Sequence, residues 1–259
     1  MSDEKEASLS IIDIAFIVPY RDREEHKHFF EKYMKYITED FSPSSYVILY
    51  IHQDNDLPFN RGAMKNIGFL YIKQAYPNEY KNITLVFNDI DTLPYCKNLL
   101  DYKTEKGIIK HFFGFKFALG GIFSINASDF EKINGFPNYW RWGFEDNVIH
   151  KRAIQNKINI DRSNFYKIGT HKILHFCDAV NKALDSDVLN KQFHRNYKEP
   201  DGISKLQNVE FKKDDQNMVH VKKFKALYDY QNKKVINYPV TNGSKIVNPN
   251  KRYKSLLYL

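Results

Sequence analysis

Apolar and polar positions alternate in blocks along the first ninety residues. Ile11-Ile-Asp-Ile-Ala-Phe-Ile-Val18 is a nearly continuous apolar run. That is the pattern of a strand buried on both faces. Pro19-Tyr-Arg-Asp-Arg23 ends it. From Glu24 to Ile37, Phe29, Phe30, Tyr33, Met34 and Ile37 recur at helical spacing. Tyr46 to His52 predicts a second strand, and Asn60 to Ala75 a second helix carrying Met64, Ile67, Gly68, Leu70 and Tyr71. Ile83 to Phe87 predicts a third buried strand, ending at Asn88-Asp-Ile-Asp91. Strands alternating with helices predict an α/β fold with a mostly parallel central sheet flanked by helices. Ligands of such sheets bind at the carboxyl ends of the strands. Three polar clusters fall there: Arg21 and Arg23, then Phe59-Asn60-Arg61, then Asp89 and Asp91. The sequence thus predicts one shared pocket, with arginines suited to phosphate and carboxylates suited to a hard cation.

Further along, Phe117-Ala-Leu-Gly-Gly-Ile-Phe-Ser-Ile125 reads as a strand interrupted by Gly120-Gly121. Adjacent glycines predict a bulge or a close backbone approach to a ligand. Ala127 to Ile133 predicts a short helix stopped by Gly135 and Pro137. Beyond His175 regularity weakens. Cys177 to Ser204 reads as a long polar loop, and Val209–Phe211, Val219–Val221 and Val235–Tyr238 as edge strands. The expectation is a single domain over 1–259 with flexible ends at 1–10 and 248–259.

The stretch Asn134-Gly-Phe-Pro-Asn-Tyr-Trp-Arg-Trp-Gly-Phe-Glu-Asp-Asn147 holds the only two tryptophans of 259 residues, Trp140 and Trp142. Large rings beside glycine and proline fit a shaped loop that stacks on a flat ligand such as a sugar. Glu145 and Asp146 then open a helical pattern, so they fall in a first turn, where the positive helix end favours an ionised acid. A carboxylate there is a candidate general base. The same pattern also describes an ordinary helix N-terminus beside two buried tryptophans. Asp89-Ile-Asp91 is a short D-x-D that can offer one carboxylate to a metal and the other to a ribose or an outer contact. His171-Lys-Ile-Leu-His175 places two histidines on one face, as one metal ligand or as plain surface or core histidines. Asp146 and His150 are one helical turn apart, either a base–His pair or a surface pair. His26, His52, His111 and His194 have no supporting local context. There is no G-x-G-x-x-G and no G-x-x-x-x-G-K-[ST], which disfavours a dinucleotide fold and a P-loop NTPase.

Composition changes this picture little. Charged residues are 27% and hydrophobic ones 42%, ordinary for a soluble globule. Aromatics reach 15%, and with abundant Asn, Lys and Ile this fits an AT-rich genome. No apolar run is long enough to span a bilayer, and the acidic N-terminus lacks a signal-peptide core. Two distant cysteines, Cys96 and Cys177, fit a reducing compartment. The net charge is +8, with twelve Lys/Arg against four Asp/Glu from Ile203 to Leu259. Such a tail can meet an anionic partner, although scattered Lys among Asn is more commonly a solvated surface.

Taken together, the motifs resemble the β-1,4-galactosyltransferase family, glycosyltransferase family 7. The resemblance rests on Val18-Pro-Tyr-Arg-Asp-Arg-Glu-Glu-His26, Phe59-Asn-Arg61, Asp89-Ile-Asp91, Gly120-Gly121 and Asn134-Gly-Phe-Pro…Trp-Arg-Trp-Gly-Phe-Glu-Asp146. Ile173-Leu-His175 and Asp201-Gly-Ile203 complete it, in the family's order, over about residues 12 to 240. The resemblance implies the GT-A nucleotide-diphosphosugar transferase fold, Mn²⁺, a UDP-sugar donor and inversion at the anomeric carbon. It assigns Pro19, Arg21, Arg23, Phe59 and Arg61 to the nucleotide and diphosphate, with Asp89 and Gly121 beside them, and Asp91 and His175 to the metal. Trp142 becomes the loop tryptophan that closes over the donor, Glu145 an acceptor-binding acid and Asp146 the catalytic base. Three positions depart from the pattern. Lys172 replaces a metal-ligating Met, leaving His171 as a substitute or the metal with an extra water. Arg141 and Phe144 replace small residues of the loop.

The expected function is a metal-dependent, inverting transfer of a hexose or N-acetylhexosamine from UDP-galactose or a UDP-N-acetylhexosamine to a hydroxyl of a glycan or glycoconjugate. The absence of an anchor and of a disulfide framework fits a viral or bacterial relative working in the cytoplasm, with no membrane span and no nucleic-acid partner. Two other classes fit parts of the pattern. Lys172 and Phe144 fit a glycan-binding module on a decayed transferase fold, which would release no UDP. The +8 charge fits a nucleic-acid binder, which would show salt-dependent binding of generic DNA.

Overall fold

A computed structural model describes residues 12–176, 181–185, 201–227 and 235–239. The flexible ends expected at 1–10 and 248–259 lie outside these residues, as do Cys177 and His194. The first half follows the hydrophobic pattern. β1 (Ile14–Tyr20) leads to α1 (Glu24–Ile37), β2 (Tyr46–Gln53), α2 (Arg61–Ala75) and β3 (Thr84–Asn88). β1 is buried along its whole length. Ala15 and Ile17 face the core layer under α2, and Phe16, Val18 and Tyr20 face the layer that also holds Phe30, Met34 and Ile37 of α1. Gly68 lets α2 lie close to β1, because a Cβ there would come 2.5 Å from Ile17 Cγ2. Side chains buried on both faces are what make β1 read as an unbroken apolar run.

The remaining elements are β4 (Thr92–Pro94), β5 (Ile108–Gly114), β6 (Ile122–Asn126), α3 (Ala127–Lys132), α4 (Glu145–Gln155), β7 (Asn159–Asp161), β8 (Tyr166–Lys167), β9 (Ile173–His175), β10 (Asn181–Asp185), β11 (Gln207–Lys213), β12 (Met218–Lys225) and β13 (Val235–Pro239). The main sheet runs β11-β12-β2-β1-β3-β6-β5-β7, with β8 also on β5. β12, β2, β1 and β3 are mutually parallel, and β6 enters antiparallel to both β3 and β5. No helix among the described residues is long and apolar enough to cross a membrane.

Three expectations are corrected. The strand expected over Phe117–Ile125 begins only at Ile122; Phe115 to Ala118 form a turn, Ala118 N–H donating to Phe115 O at 3.1 Å, and Leu119 to Gly121 lead from it into the strand. Phe117 is exposed on the turn while Ala118 and Leu119 are buried, and a short apolar run of this mixed kind cannot separate a turn from a strand. The segment read as a loop over Cys177–Ser204 contains β10, paired with β13. Finally, β12 is not an edge: it lies between β11 and β2.

Candidate active site

The site forms where the parallel strands end. β2 is followed by a loop that Gln53 braces from inside. Its Nε2 donates to Leu57 O and Pro58 O, and its Oε1 accepts from Asn60 N at 2.8 Å. Asn60 then caps α2, accepting from Ala63 N at 2.9 Å. This fixes Arg61 at the first helical position with its side chain turned inward. Arg61 gathers three carboxylates from two other segments. Nε donates to Asp89 Oδ1 at 3.2 Å just past β3, and Nη1 donates to Glu145 Oε1 at 2.7 Å and to Asp146 Oδ2 at 3.0 Å in the first turn of α4. Burial alone would lower the pKa of Arg61. The charges of Asp146, Asp89 and Glu145 outweigh it and hold the pKa well above the ordinary arginine value. Lys65, one turn along α2 and 1% exposed, lies 3.6 Å from Asp89 and 3.5 Å from Asp146. The other oxygen of Asp146, Oδ1, is buried and accepts no hydrogen bond.

The glycine pair fits against this cluster. A Cβ on Gly120 would fall 2.6 Å from Asp146 Oδ2, and Leu119 N–H donates to Asp146 O at 2.9 Å. Gly121 has φ +69, and its carbonyl accepts from Asp89 N at 3.2 Å. The two tryptophans separate in role. Trp140 is buried and stacks on Phe224 with ring centroids 5.2 Å apart, whereas Trp142 is only half-buried. Arg141, Gly143 and Phe144 all have positive φ, at +66, +138 and +63. Arg141 and Phe144 therefore hold left-handed backbone that costs an ordinary side chain about 1–2 kcal/mol. The backbone is of the kind that favours glycine, although the side chains are large.

Asp91 and His175 come together through the short β4–β9 ladder. Thr92 is paired with His175, and Phe176 N–H donates to Asp91 O at 2.9 Å. The Asp91 carboxylate lies 3.8 Å from Arg23 Nη1. A carboxylate oxygen and an imidazole nitrogen are donor types that a manganese-class cation takes. His171 lies in the exposed turn before β9, and Lys172 contributes its backbone carbonyl to Tyr95 N at 2.8 Å. Arg21 donates to Leu57 O, Pro19 is buried within β1 opposite Ile51, and Phe59 packs partly buried on the core. Of the two readings of Asp146 and His150, the base–His pair is not formed: His150 Nε2 accepts from Arg162 at 3.1 Å. Burial, then the Arg162 charge, pushes the His150 pKa down to about 4, and the same two causes act on His111.

Sequence reasoning missed Lys65 and the scaffold under the tryptophan loop. Asn66 Nδ2 donates to Phe136 O at 2.8 Å and to Asn138 Oδ1 at 2.9 Å. Asp201 accepts from Asn138 N at 2.7 Å and Asn138 Nδ2 at 2.8 Å. Arg152 of α4 donates to Gly135 O at 2.7 Å and to Asp201 O. The available signal was a helix with Lys65 and Asn66 set among Ala63, Met64, Ile67 and Phe69. A helix buried all round must satisfy such groups internally.

Comparison with known proteins adds an independent line. A family model described as the N-terminal region of glycosyl transferase group 7 matches residues 5–102, and one described as N-terminal domain of galactosyltransferase matches 111–177. The chain is 31% identical over 178 residues to β-1,4-galactosyltransferase 1 of Mus musculus, covering 65% of this chain and 43% of that one. It is 30% identical over 172 residues to xylosylprotein 4-β-galactosyltransferase of Caenorhabditis elegans, covering 62% of this chain and 56% of that one. The chain thus spans about half the length of these curated relatives. Among solved structures, the catalytic domain of Drosophila β1,4-galactosyltransferase 7 in complex with xylobiose superposes with a TM-score of 0.62 at 20% identity, covering 84% of this chain and 95% of that one. A mutant of the same enzyme, with manganese, UDP-Gal and xylobiose, matches equally. That likeness shows the fold, which is GT-A.

Proposed function

The chain belongs to the β-1,4-galactosyltransferase family, glycosyltransferase family 7, and on that premise we propose that it is a metal-dependent, inverting glycosyltransferase. Its donor is UDP-galactose or a UDP-N-acetylhexosamine, and its acceptor is a glycan hydroxyl. The observation that carries this reading is the convergence of Asp89, Glu145 and Asp146 on Arg61 at the carboxyl edge of the parallel strands.

Asp146 is the general base. Arg61 anchors Oδ2, and Oδ1, which makes no hydrogen bond and faces Lys65 Nζ at 3.5 Å, takes the proton of an acceptor hydroxyl once the tryptophan loop admits it. The acceptor oxygen then attacks the anomeric carbon from the face opposite the diphosphate, and that bond breaks with inversion. Glu145, 4% exposed and bonded to Arg61 and Gly143 N, holds the floor of the acceptor site. Arg21 and Arg23, the cations just after β1, receive the diphosphate. Asp91 and His175 would hold a divalent cation, Mn²⁺ by the precedent of the Drosophila complex, which would supply Lewis-acid stabilisation of the leaving diphosphate. Trp142 shields the site so that transfer outcompetes hydrolysis.

Ala118 is buried in the turn before Gly120-Gly121 and presents only a methyl group. A site with no larger wall there admits an N-acetyl substituent, and the contact of one such group is worth about 1–3 kcal/mol. UDP-N-acetylhexosamine is therefore accepted at least as well as UDP-galactose, and Ala118→Tyr shifts preference toward galactose. A donor screen with Mn²⁺, simple sugar acceptors and UDP release as readout tests this. UDP release from no donor would return the chain to the glycan-binding alternative. Turnover of UDP-galactose alone, unchanged in Ala118→Tyr, would overturn only the donor assignment. Metal-dependent UDP binding that survives Asp91→Ala would overturn the cation assignment.

A further inference from the structure

A cluster that uses none of the residues assigned to the donor, the base or Mn²⁺ has the make-up of a second cation site. His52 near the end of β2 and His220 on β12 are directly paired in the parallel register, so their imidazoles emerge side by side. Their ring centroids are 5.5 Å apart. Asp54 follows two residues after His52, and its Oδ2 lies 3.6 Å from His220 Nδ1. One ligating atom from each of His52, Asp54 and His220 lies within 4.8 Å of the others. His220 is also oriented from behind: its Nε2 faces Asp214 Oδ2 at 3.2 Å. Asp214 is itself fixed, its Oδ1 accepting from Met218 N at 2.8 Å and Gln216 N at 2.9 Å. A carboxylate on the far nitrogen of an imidazole fixes its tautomer and directs the near lone pair, as in metal-ligating histidines. With Nε2 donating to Asp214, the Nδ1 lone pair of His220 points towards Asp54. His52 Nδ1 is buried and makes no hydrogen bond.

We propose that His52, Asp54 and His220 bind a zinc-class divalent cation, with Asp214 holding His220 in place. Two imidazoles and one carboxylate select zinc and its late-transition neighbours over magnesium or calcium, which take oxygen ligands. The site is separate from Asp91 and His175 and does not depend on the transferase reading. Its effect is structural. The cation ties β12 to β2 at the first residue of the loop that Gln53 braces, the loop that delivers Asn60 and Arg61. Occupancy therefore steadies that loop from outside while Gln53 steadies it from inside.

The test is zinc titration by calorimetry on the purified chain stripped with chelator, in the wild type, Asp91→Ala, His220→Gln, Asp54→Asn and Asp214→Asn. Asp54 is exposed and His220 only half-buried, so these replacements spare the core, and circular dichroism checks each variant. The expected result is that one zinc equivalent is retained in Asp91→Ala, whether or not the wild type takes up a further equivalent at Asp91 and His175. Its affinity falls at least 100-fold in His220→Gln and in Asp54→Asn. In Asp214→Asn it falls 10–100-fold, the usual effect of losing an outer carboxylate (about 10–100-fold). Zinc also raises the unfolding midpoint of the wild type and not of His220→Gln. The proposal is overturned if the wild type binds no zinc equivalent, or if His220→Gln and Asp54→Asn bind it as the wild type does.

Discussion

Replacing Gly120 with alanine displaces the proposed base without touching its chemistry. The added Cβ would lie 2.6 Å from Asp146 Oδ2 and 3.1 Å from its Cγ, about 0.8 Å inside the 3.4 Å at which ordinary contact begins. The obstacle is a side chain, so Asp146 swings rather than the backbone, and Arg61 is the group it swings against. A misplacement near 1 Å in a reacting constellation costs up to about 10²-fold in rate. We expect Gly120→Ala to lower transfer by 10- to 100-fold, with UDP binding and the unfolding midpoint close to wild type. Gly121→Ala is the control. Its Cβ would meet Phe113 O, a backbone atom, at 2.6 Å, and its φ of +69 costs an alanine about 1–2 kcal/mol more. That variant loses stability first, seen as an earlier urea midpoint. Steady-state transfer beside urea melts separates the two effects. Full transfer in a folded Gly120→Ala would refute the placement of Asp146 against the reacting atoms.

Asp201→Ala leaves two buried donors of Asn138 without an acceptor, at about 1–3 kcal/mol each; urea unfolding should show a loss of about 2 kcal/mol or more, and a loss below 0.5 kcal/mol would mean water replaces the carboxylate (about the scatter of ordinary surface changes). His111 has its pKa lowered from 6.5 to about 4 by burial and then by Arg162, so the unfolded chain takes up its proton first as pH falls. Stability is therefore full above pH 6.5 and is lost between there and pH 4, by up to about 3 kcal/mol from this residue. Urea midpoints measured across that window should fall, and a flat profile would contradict the burial of a neutral imidazole.

The sequence made the first half of the fold legible because its signals are local. The apolar run of β1 and the spacing of Phe30, Met34 and Ile37 in α1 each report burial within one element. Arg61 and Asp89 were readable as one site because strand ends in a parallel sheet converge, whereas Asp146, on α4, was joined to them only by the family resemblance. What escaped depends on pairing between distant segments. His52 looked contextless because its neighbour, His220, reaches it only when β12 inserts beside β2. The β4–β9 ladder that joins Asp91 to His175 is three residues long and leaves no periodic trace. Lys65 was hidden by its helix, since a buried cation opposite carboxylates and a surface lysine look alike in one dimension. The turn ahead of Gly120-Gly121 was misread because Phe117, exposed on it, carries the same apolar character as a strand residue.

Asp146→Asn tests the central claim most directly, because it keeps the shape of the side chain and removes the proton acceptor. A positioned general base is worth about 10²–10⁴-fold. Turnover of the preferred UDP-sugar with Mn²⁺ and acceptor should fall by that factor in Asp146→Asn, while calorimetric UDP affinity stays within about twofold of wild type, since donor contacts are untouched. Turnover near the wild-type rate with unchanged UDP affinity would contradict the account and move the base to Glu145.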